Sequence, residues 1–324
     1  MRLVTIPVGV LGIALLAAGA SGLIRATAHA QDFPSRNITI IVPTSAGGGS
    51  DLQARIIGQR LAAAFGRTVI VENRPGASGN IGTEAVVRAA ADGHTLLWSN
   101  NFIVQTQVVP PKPAFIPERD LAPVSLTDRI PWILAVHPSL PVRNVKDLLA
   151  LAKARPGALT FSSGSLGLQV ELLKLSTNVD IRGIFYKGNA PATVALLSGE
   201  VQMSMLTPTV VTAHIKSGKV RGLAVSSLKR STVLPDIPTL HEAGAKDYEA
   251  LQWHGFLVPA KTPSATITRL HAEVIKALAS SDVKERFVSE GADIIGSTPS
   301  EFAAFISAEI RKWAEVVKRS SMKF

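Results

Sequence analysis

The chain has 324 residues, 34 basic and 24 acidic side chains, 46% hydrophobic content and a mean hydropathy of +0.25. That length and apolar content fit two domains with substantial cores, while 25 glycines and 20 prolines, near the usual usage of about 7% and 5%, exclude collagen-like and low-complexity chains. The sequence holds no cysteine, which excludes disulfides, thiolate zinc sites, iron–sulfur clusters and cysteine nucleophiles.

Between Arg2 and Arg25 no residue is charged, and Val8 to Ala20 is apolar. Ala28-His29-Ala30 then supplies the small-x-small pattern of a signal-peptidase site. The stretch is also long enough for a membrane anchor, but Pro7 and the glycines at 9, 12, 19 and 22 weaken a permanent helix. Residues 1–30 are therefore expected to be a signal peptide cleaved after Ala30. Loss of Arg2 and Arg25 lowers the net charge from +10 to +8. The remaining basic residues are scattered, or share a helix with acids as in Glu309, Arg311, Lys312 and Glu315. No nucleic-acid partner is expected, although a general attraction for anionic ligands remains.

From Ile38 onward strand and helix signals alternate. Ile38 to Val42 is a β-branched run ended by Pro43. A helix follows the glycines, with Ser50 as its expected N-cap and Gln53 completing a capping box. Strands at 68–72 and 94–98 flank a helix at 81–90 that Asn80 is expected to cap. Such βαβαβ order predicts a parallel sheet covered on both faces. After a Pro-rich passage at 110–123 the pattern restarts, with strands at 132–136, 159–162, 181–186, 201–206 and 221–225. Helices are expected between them at 145–153, 168–176, 191–198 and 209–216. A strand at 255–258 and two helices close the chain. The second opens at Thr298-Pro299-Ser300-Glu301, a capping box with proline at the first helical position. The expected organisation is α/β, with one domain from 31–128 and 253–324 and another from 129–252. Crossovers are expected near Leu126 to Arg129 and Leu251 to Gly255.

Pro43-Thr44-Ser45-Ala46-Gly47-Gly48-Gly49-Ser50-Asp51 lies between a buried strand and a helix. Consecutive glycines let the backbone approach a ligand, and the helix start behind them offers unpaired N–H groups and a positive dipole end. This combination binds carboxylate or phosphate without a lysine or arginine, and the loop has neither. The bland alternative is a plain glycine turn. Ser162-Ser163-Gly164-Ser165-Leu166-Gly167 has the same form in the other domain. Two such loops at strand C-termini are expected to face each other across an interdomain cleft. The loop Asn73 to Asn80, with Ala77 and Ser78, is expected as a further wall.

Taken together, these stretches resemble the Bug-type extracytoplasmic solute receptors of tripartite tricarboxylate transporters (the TctC-like family). Ile41-Val42-Pro43 with Gly47 to Asp51, Val71-Glu72-Asn73-Arg74-Pro75-Gly76 with Gly79 to Gly82, and Asp92-Gly93-His94-Thr95-Leu96-Leu97 carry the likeness. So do Pro156-Gly157, Tyr186-Lys187-Gly188, Leu223-Ala224-Val225 and Leu234-Pro235-Asp236-Ile237-Pro238-Thr239. The resemblance implies a periplasmic, two-domain binding protein of the Venus-flytrap, type II-like class, with its ligand cleft between the domains. It implies a monomer that captures a small mono- or dicarboxylate and delivers it to membrane transporter subunits, or reports it to a membrane sensor. The ligand-binding residues it implies are Thr44, Ser45, Ala46, Gly47, Gly48, Asp51, Ala77, Ser78, Asn100, Ser162, Ser163, Gly164, Tyr186, Gly188 and Thr207. The sequence departs from the family pattern where Thr44, Ser45 and Ala46 replace an aromatic and two prolines. It departs again at Thr207-Pro208 and at His94.

No Gly-x-Ser-x-Gly elbow, Walker A lysine, His-Glu-x-x-His or Gly-x-Gly-x-x-Gly motif is present. The histidines at 94, 137, 214, 241, 254 and 271 lack metal-ligand spacing. Neither cofactor, metal nor catalytic residue is expected. His254, after Trp253 and before the last strand, is the one candidate for a hinge or pocket histidine, with core or surface as the alternative.

Overall fold

The computed structural model describes residues 33–163, 166–186, 189–320 and 322. The expected leader, and Gly164 and Gly188 of the expected site, lie outside the described residues. The first part of the chain forms β1 (Ile38–Val42), α1 (Gly49–Phe65), β2 (Val69–Asn73), a 3-10 turn (Ala77–Gly79), α2 (Asn80–Val87) and β3 (Thr95–Asn100). Two four-residue helices, α3 (Phe102–Gln105) and α4 (Pro117–Asp120), lead into β4 (Leu121–Pro131). Next come β5 (Ile133–Val136), α5 (Val145–Ala154), β6 (Thr160–Ser163), α6 (Leu168–Thr177), β7 (Arg182–Phe185), α7 (Asn189–Leu197), β8 (Met203–Leu206), α8 (Pro208–Lys216) and β9 (Arg221–Val225). The chain ends with β10 (Leu251–Pro259), α9 (Ser264–Ala279), α10 (Ser281–Ser289), β11 (Asp293–Ile294) and α11 (Pro299–Arg319).

These strands make two sheets, in the orders β11-β4-β10-β3-β1-β2 and β7-β6-β8-β5-β9. In the first, β1 pairs in parallel with β2 and β3, as the βαβαβ pattern predicts, while β10 runs antiparallel to β3 and β4. In the second, β6 is parallel to β7 and β8, and β5 is antiparallel to β8 and β9. Both sheets are therefore mixed.

β4, α10 and β11 were not expected. Pro123 and Asp128 break the apolar alternation of β4, and its antiparallel pairing with β10, and with β11 at Asp128 and Arg129, makes it a strand. The passages expected as crossovers near Leu126 and Leu251 are strand. The chain leaves the first sheet at Trp132, just after β4 ends at Pro131, and returns at Ala250, just before β10.

Ser226, which is buried, fastens those two crossings together. Its N–H donates to the Trp132 carbonyl at 2.8 Å, its carbonyl accepts from the Ala250 N–H at 3.1 Å, and its hydroxyl bridges the Trp132 N–H and the Ala250 carbonyl. The two chain crossings between the sheets are thus hydrogen-bonded to each other through one residue, a waist at Ser226.

Three apolar clusters hold the layers. One lies between the first sheet and α1, α9 and α10, and another between the second sheet and α7 and α8. The third is shared by both halves and includes Leu97, Trp132, Phe161, Leu173 and the α11 residues Phe302, Ile306, Trp313 and Val316. Helix α11 starts as its sequence dictates, with Thr298 accepting from the Glu301 N–H and Glu301 returning a bond to the Thr298 N–H. Its apolar stripe packs on β4 and on α6, so it spans from one sheet to the other. Each of its buried aromatic and aliphatic side chains contributes about 1.5–3 kcal/mol. Gly255 is required beneath it, because a Cβ there would lie 2.5 Å from the Phe302 ring.

Ser226→Ala strands the buried Trp132 N–H. The variant is expected to lose about 1–3 kcal/mol of stability, read as a fall in thermal midpoint of about 2–4 °C per kcal/mol. An unchanged midpoint would show that the waist does not depend on this hydroxyl.

Candidate functional site

A cleft of about 580 Å³ opens between the two sheets. Its first wall is the glycine loop, Thr44 to Ser50, with Asn100, Asn101 and Phe102 from the end of β3. The facing wall comes from Asn189, Ala190 and Pro191 at the start of α7, and from Thr207, Thr209 and Val210 at the start of α8. Ile130, Trp132, Gln252 and His254 form the floor at the waist, joined by Gln53 and Glu290.

The glycine loop is held from behind. The buried Asp51 carboxylate accepts from the Gly47 N–H at 2.9 Å and pairs with Arg55, which also donates to Asn73 Oδ1. Asn73 in turn donates to the Thr44 carbonyl at 3.1 Å. Burial raises the Asp51 proton affinity, but the bonds from Arg55, Gly47 and Asn73 outweigh it and hold the carboxyl below its ordinary value. Of the three glycines only Gly47 has positive φ, at +83°; Gly48 is the extended N-cap of α1. A Cβ on Gly47 would meet nothing within 4 Å and one on Gly48 only the Ser45 carbonyl, so the space before the loop is open.

Ser50 does not cap α1. It sits inside the first turn, where its Oγ accepts from Trp98 Nε1 at 3.0 Å, while the Gln53 amide donates to Glu290 Oε2 at 2.7 Å. Asn80 likewise begins α2 without a capping bond, after Gly79.

Three helices of nine or more residues, α1, α7 and α8, begin at the cleft. Their first turns and positive dipole ends lie there, although α8 opens with Pro208, which has no N–H, and its Val210 N–H bonds the Thr207 carbonyl at 3.0 Å. None of the described lining residues is Lys or Arg. An anion in this cleft therefore meets backbone and neutral donors.

The floor is a buried polar network. His254 is fully buried; its Nδ1 lies 3.0 Å from Asp128 Oδ2, its Nε2 lies 3.2 Å from Gln252 Nε2, and its ring stacks on Trp98 with centroids 5.2 Å apart. Thr127 donates to Asp128 Oδ1 or to the His254 carbonyl. Glu290, also buried, pairs with Arg286 at 2.6 Å. Burial pushes its carboxyl above the ordinary value, against the opposing pull of Arg286.

Comparison with known proteins gives this arrangement its family. Residues 53–322 match the model of the tripartite tricarboxylate transporter family receptor. The chain belongs to that family. Protein BugT of Bordetella pertussis is 38% identical over 321 residues, covering 97% of each chain. A solved structure of an R. palustris protein with adipate is 34% identical, with a TM-score of 0.80 over 89% of this chain and 98% of that one. MatC of Rhodopseudomonas palustris with bound malate is 30% identical, with a TM-score of 0.77 over 88% and 100%. The family is one of periplasmic solute-binding receptors, not of enzymes. Among the described residues no cluster of His, Asp and Glu fits a metal ion, and no helix is long and apolar enough to cross a membrane.

Within this receptor, Thr44, Ser45, Ala46, Gly47, Gly48, Asn100 and Thr207 come together on the cleft walls. Asp51 stands behind the loop instead. Ser162 and Ser163 are buried in β6, where the Ser162 hydroxyl donates to the Ala192 carbonyl. Tyr186 donates to Glu200 at 2.8 Å, and Ala77 and Ser78 are exposed at positive φ; none of these lines the cleft here. The sequence reading missed Gln53, Trp132, Asn189, Gln252 and Glu290. His254, which it singled out, is both buried and a cleft residue.

Asp51→Ala removes the partner of the Gly47 N–H and is expected to cost about 1 kcal/mol at pH 7. Because the folded-state pKa is depressed, the wild-type advantage is complete above about pH 3.9 and is lost as pH falls through the lower folded value. Paired denaturant titrations at pH 7 and pH 3 check this; an advantage that grows in acid would contradict it.

Proposed function

We propose that the protein captures a small carboxylated metabolite between its two sheets by hinge closure and delivers it to a membrane transporter of the tripartite tricarboxylate type. The observation that carries this reading is the cleft itself: three helix starts and a glycine loop aimed at one space whose described walls hold no Lys or Arg. The ligand carboxylate sits against the N–H groups at Gly48 and Gly49. Relatives solved with adipate and malate, both carboxylates, support the ligand class. Closure follows from the waist at Trp132, Ser226 and Ala250, because a ligand touching both walls makes more contacts in the closed form. Residues 1–30 direct export and are removed after Ala30. Intact-mass measurement of the periplasmic protein tests that step, and a chain retaining residues 1–30 would overturn it.

Gly48→Val tests the pocket. The extended φ of −81° accepts valine, and the side chain enters open cleft space. Calorimetric titration with an acid that binds the wild type is expected to show at least a hundredfold weaker binding, about 2.8 kcal/mol, with little change in unfolding midpoint. Unchanged affinity would remove the glycine loop from the site.

A further inference from the structure

The two glutamines of the cleft are each committed in the same sense. Gln53, a residue of the cleft lining, is fully buried; it spends its amide nitrogen on Glu290 Oε2, which leaves its buried Oε1 with no partner. Gln252 places its amide nitrogen on His254 Nε2. In the tautomer whose Nδ1–H donates to the Asp128 carboxylate, Nε2 is the ring's acceptor and the Gln252 amide N–H donates to it. The free end of Gln252 is then also a carbonyl oxygen. Beside them stands Glu290, the one carboxylate among the described lining residues, facing Arg286.

These groups present acceptors, not donors. A buried acceptor without a partner is costly to leave unmade, and a ligand donor or an ordered water relieves it. Their position matters as much as their polarity. A Cβ on Gly49 would lie 3.8 Å from Glu290 Oε2, and Gln53 bonds that same oxygen. The acceptor cluster therefore adjoins the helix start that takes the carboxylate in the function proposed above, on which this inference rests.

We infer that Gln53 and Gln252 are specificity-determining residues, and that the preferred ligand carries a hydroxyl or ammonium donor on the carbon next to its carboxylate. A plain acid fills the same helix-start site but leaves the Gln53 carbonyl unmatched. Sites built to hydrogen-bond a ligand group reject the analogue lacking it more strongly than apolar pockets reject a missing methylene.

The test is calorimetry on the purified protein with matched acids: propionate, lactate and alanine; succinate, malate and aspartate; glutarate, 2-hydroxyglutarate and glutamate. In the series that binds most tightly, the hydroxy or amino member is expected to bind at least tenfold tighter than its unsubstituted parent. Gln53→Met and Gln252→Met each remove the carbonyl at similar volume, and each is expected to reduce that ratio below threefold. Circular dichroism establishes that the variants are folded; where one is not, the wild-type ratio decides alone. Parent acids binding as tightly as substituted ones, or folded variants keeping the full ratio, would overturn the assignment while leaving the carboxylate receptor standing. Failure of every acid to bind would overturn the receptor reading and this inference with it.

Discussion

The bond from the Gly47 N–H to the buried Asp51 carboxylate, backed by Asn73 on the Thr44 carbonyl, fixes the shape of a loop that packing alone would not hold. Thr44 to Gly49 are small residues with little apolar surface to bury, so packing alone cannot order them. Asp51, Arg55 and Asn73 supply the order from the far side, through bonds to Gly47 and Thr44. What they leave on the near side is a bare helix start. A side chain cation would provide a stronger point charge, but it would be flexible and strongly hydrated. Rigid backbone donors need no such reorganisation.

That choice sets demands on the rest of the molecule. Helix starts are weak anion sites singly, worth about 0.3–1 kcal/mol when exposed, so several must converge and water must be displaced. The two-sheet design meets both needs. α1 approaches from one half, and α7 and α8 from the other. Between them the chain narrows to the Ser226 clasp, where a few hydrogen bonds join Trp132 to Ala250. Helix α11, with its stripe on β4 and α6, covers the back of that junction with a continuous apolar surface.

Local chemistry in the sequence was enough for most of this frame. The β-branched run Ile38 to Val42 and the Thr298-Pro299-Ser300-Glu301 capping box form as their composition dictates. β4 was not legible, because Pro123 and Asp128 read as breakers until β10 pairs with them from more than a hundred residues away. The same distance hid the cleft floor. Gln53 meets Glu290 across 237 residues and His254 meets Asp128 across 126, and nothing local marks either pair. Ser50 and Gln53 looked like a cap and its box, yet tertiary partners, Trp98 and Glu290, claim both side chains. On the second wall, Ser162 and Ser163 are buried strand residues, Thr207 lies on the cleft wall as expected, and the α7 start at Asn189 carries no glycine run to advertise it.

The most direct measurement is a crystal structure of the protein with the acid it binds most tightly. The account predicts the ligand carboxylate within hydrogen-bond distance of the N–H groups at Gly48 and Gly49, directly or through one water, with the α7 and α8 starts moved toward the α1 start. A carboxylate held instead by a lysine or arginine, or a ligand seated outside the cleft between the two sheets, would contradict it.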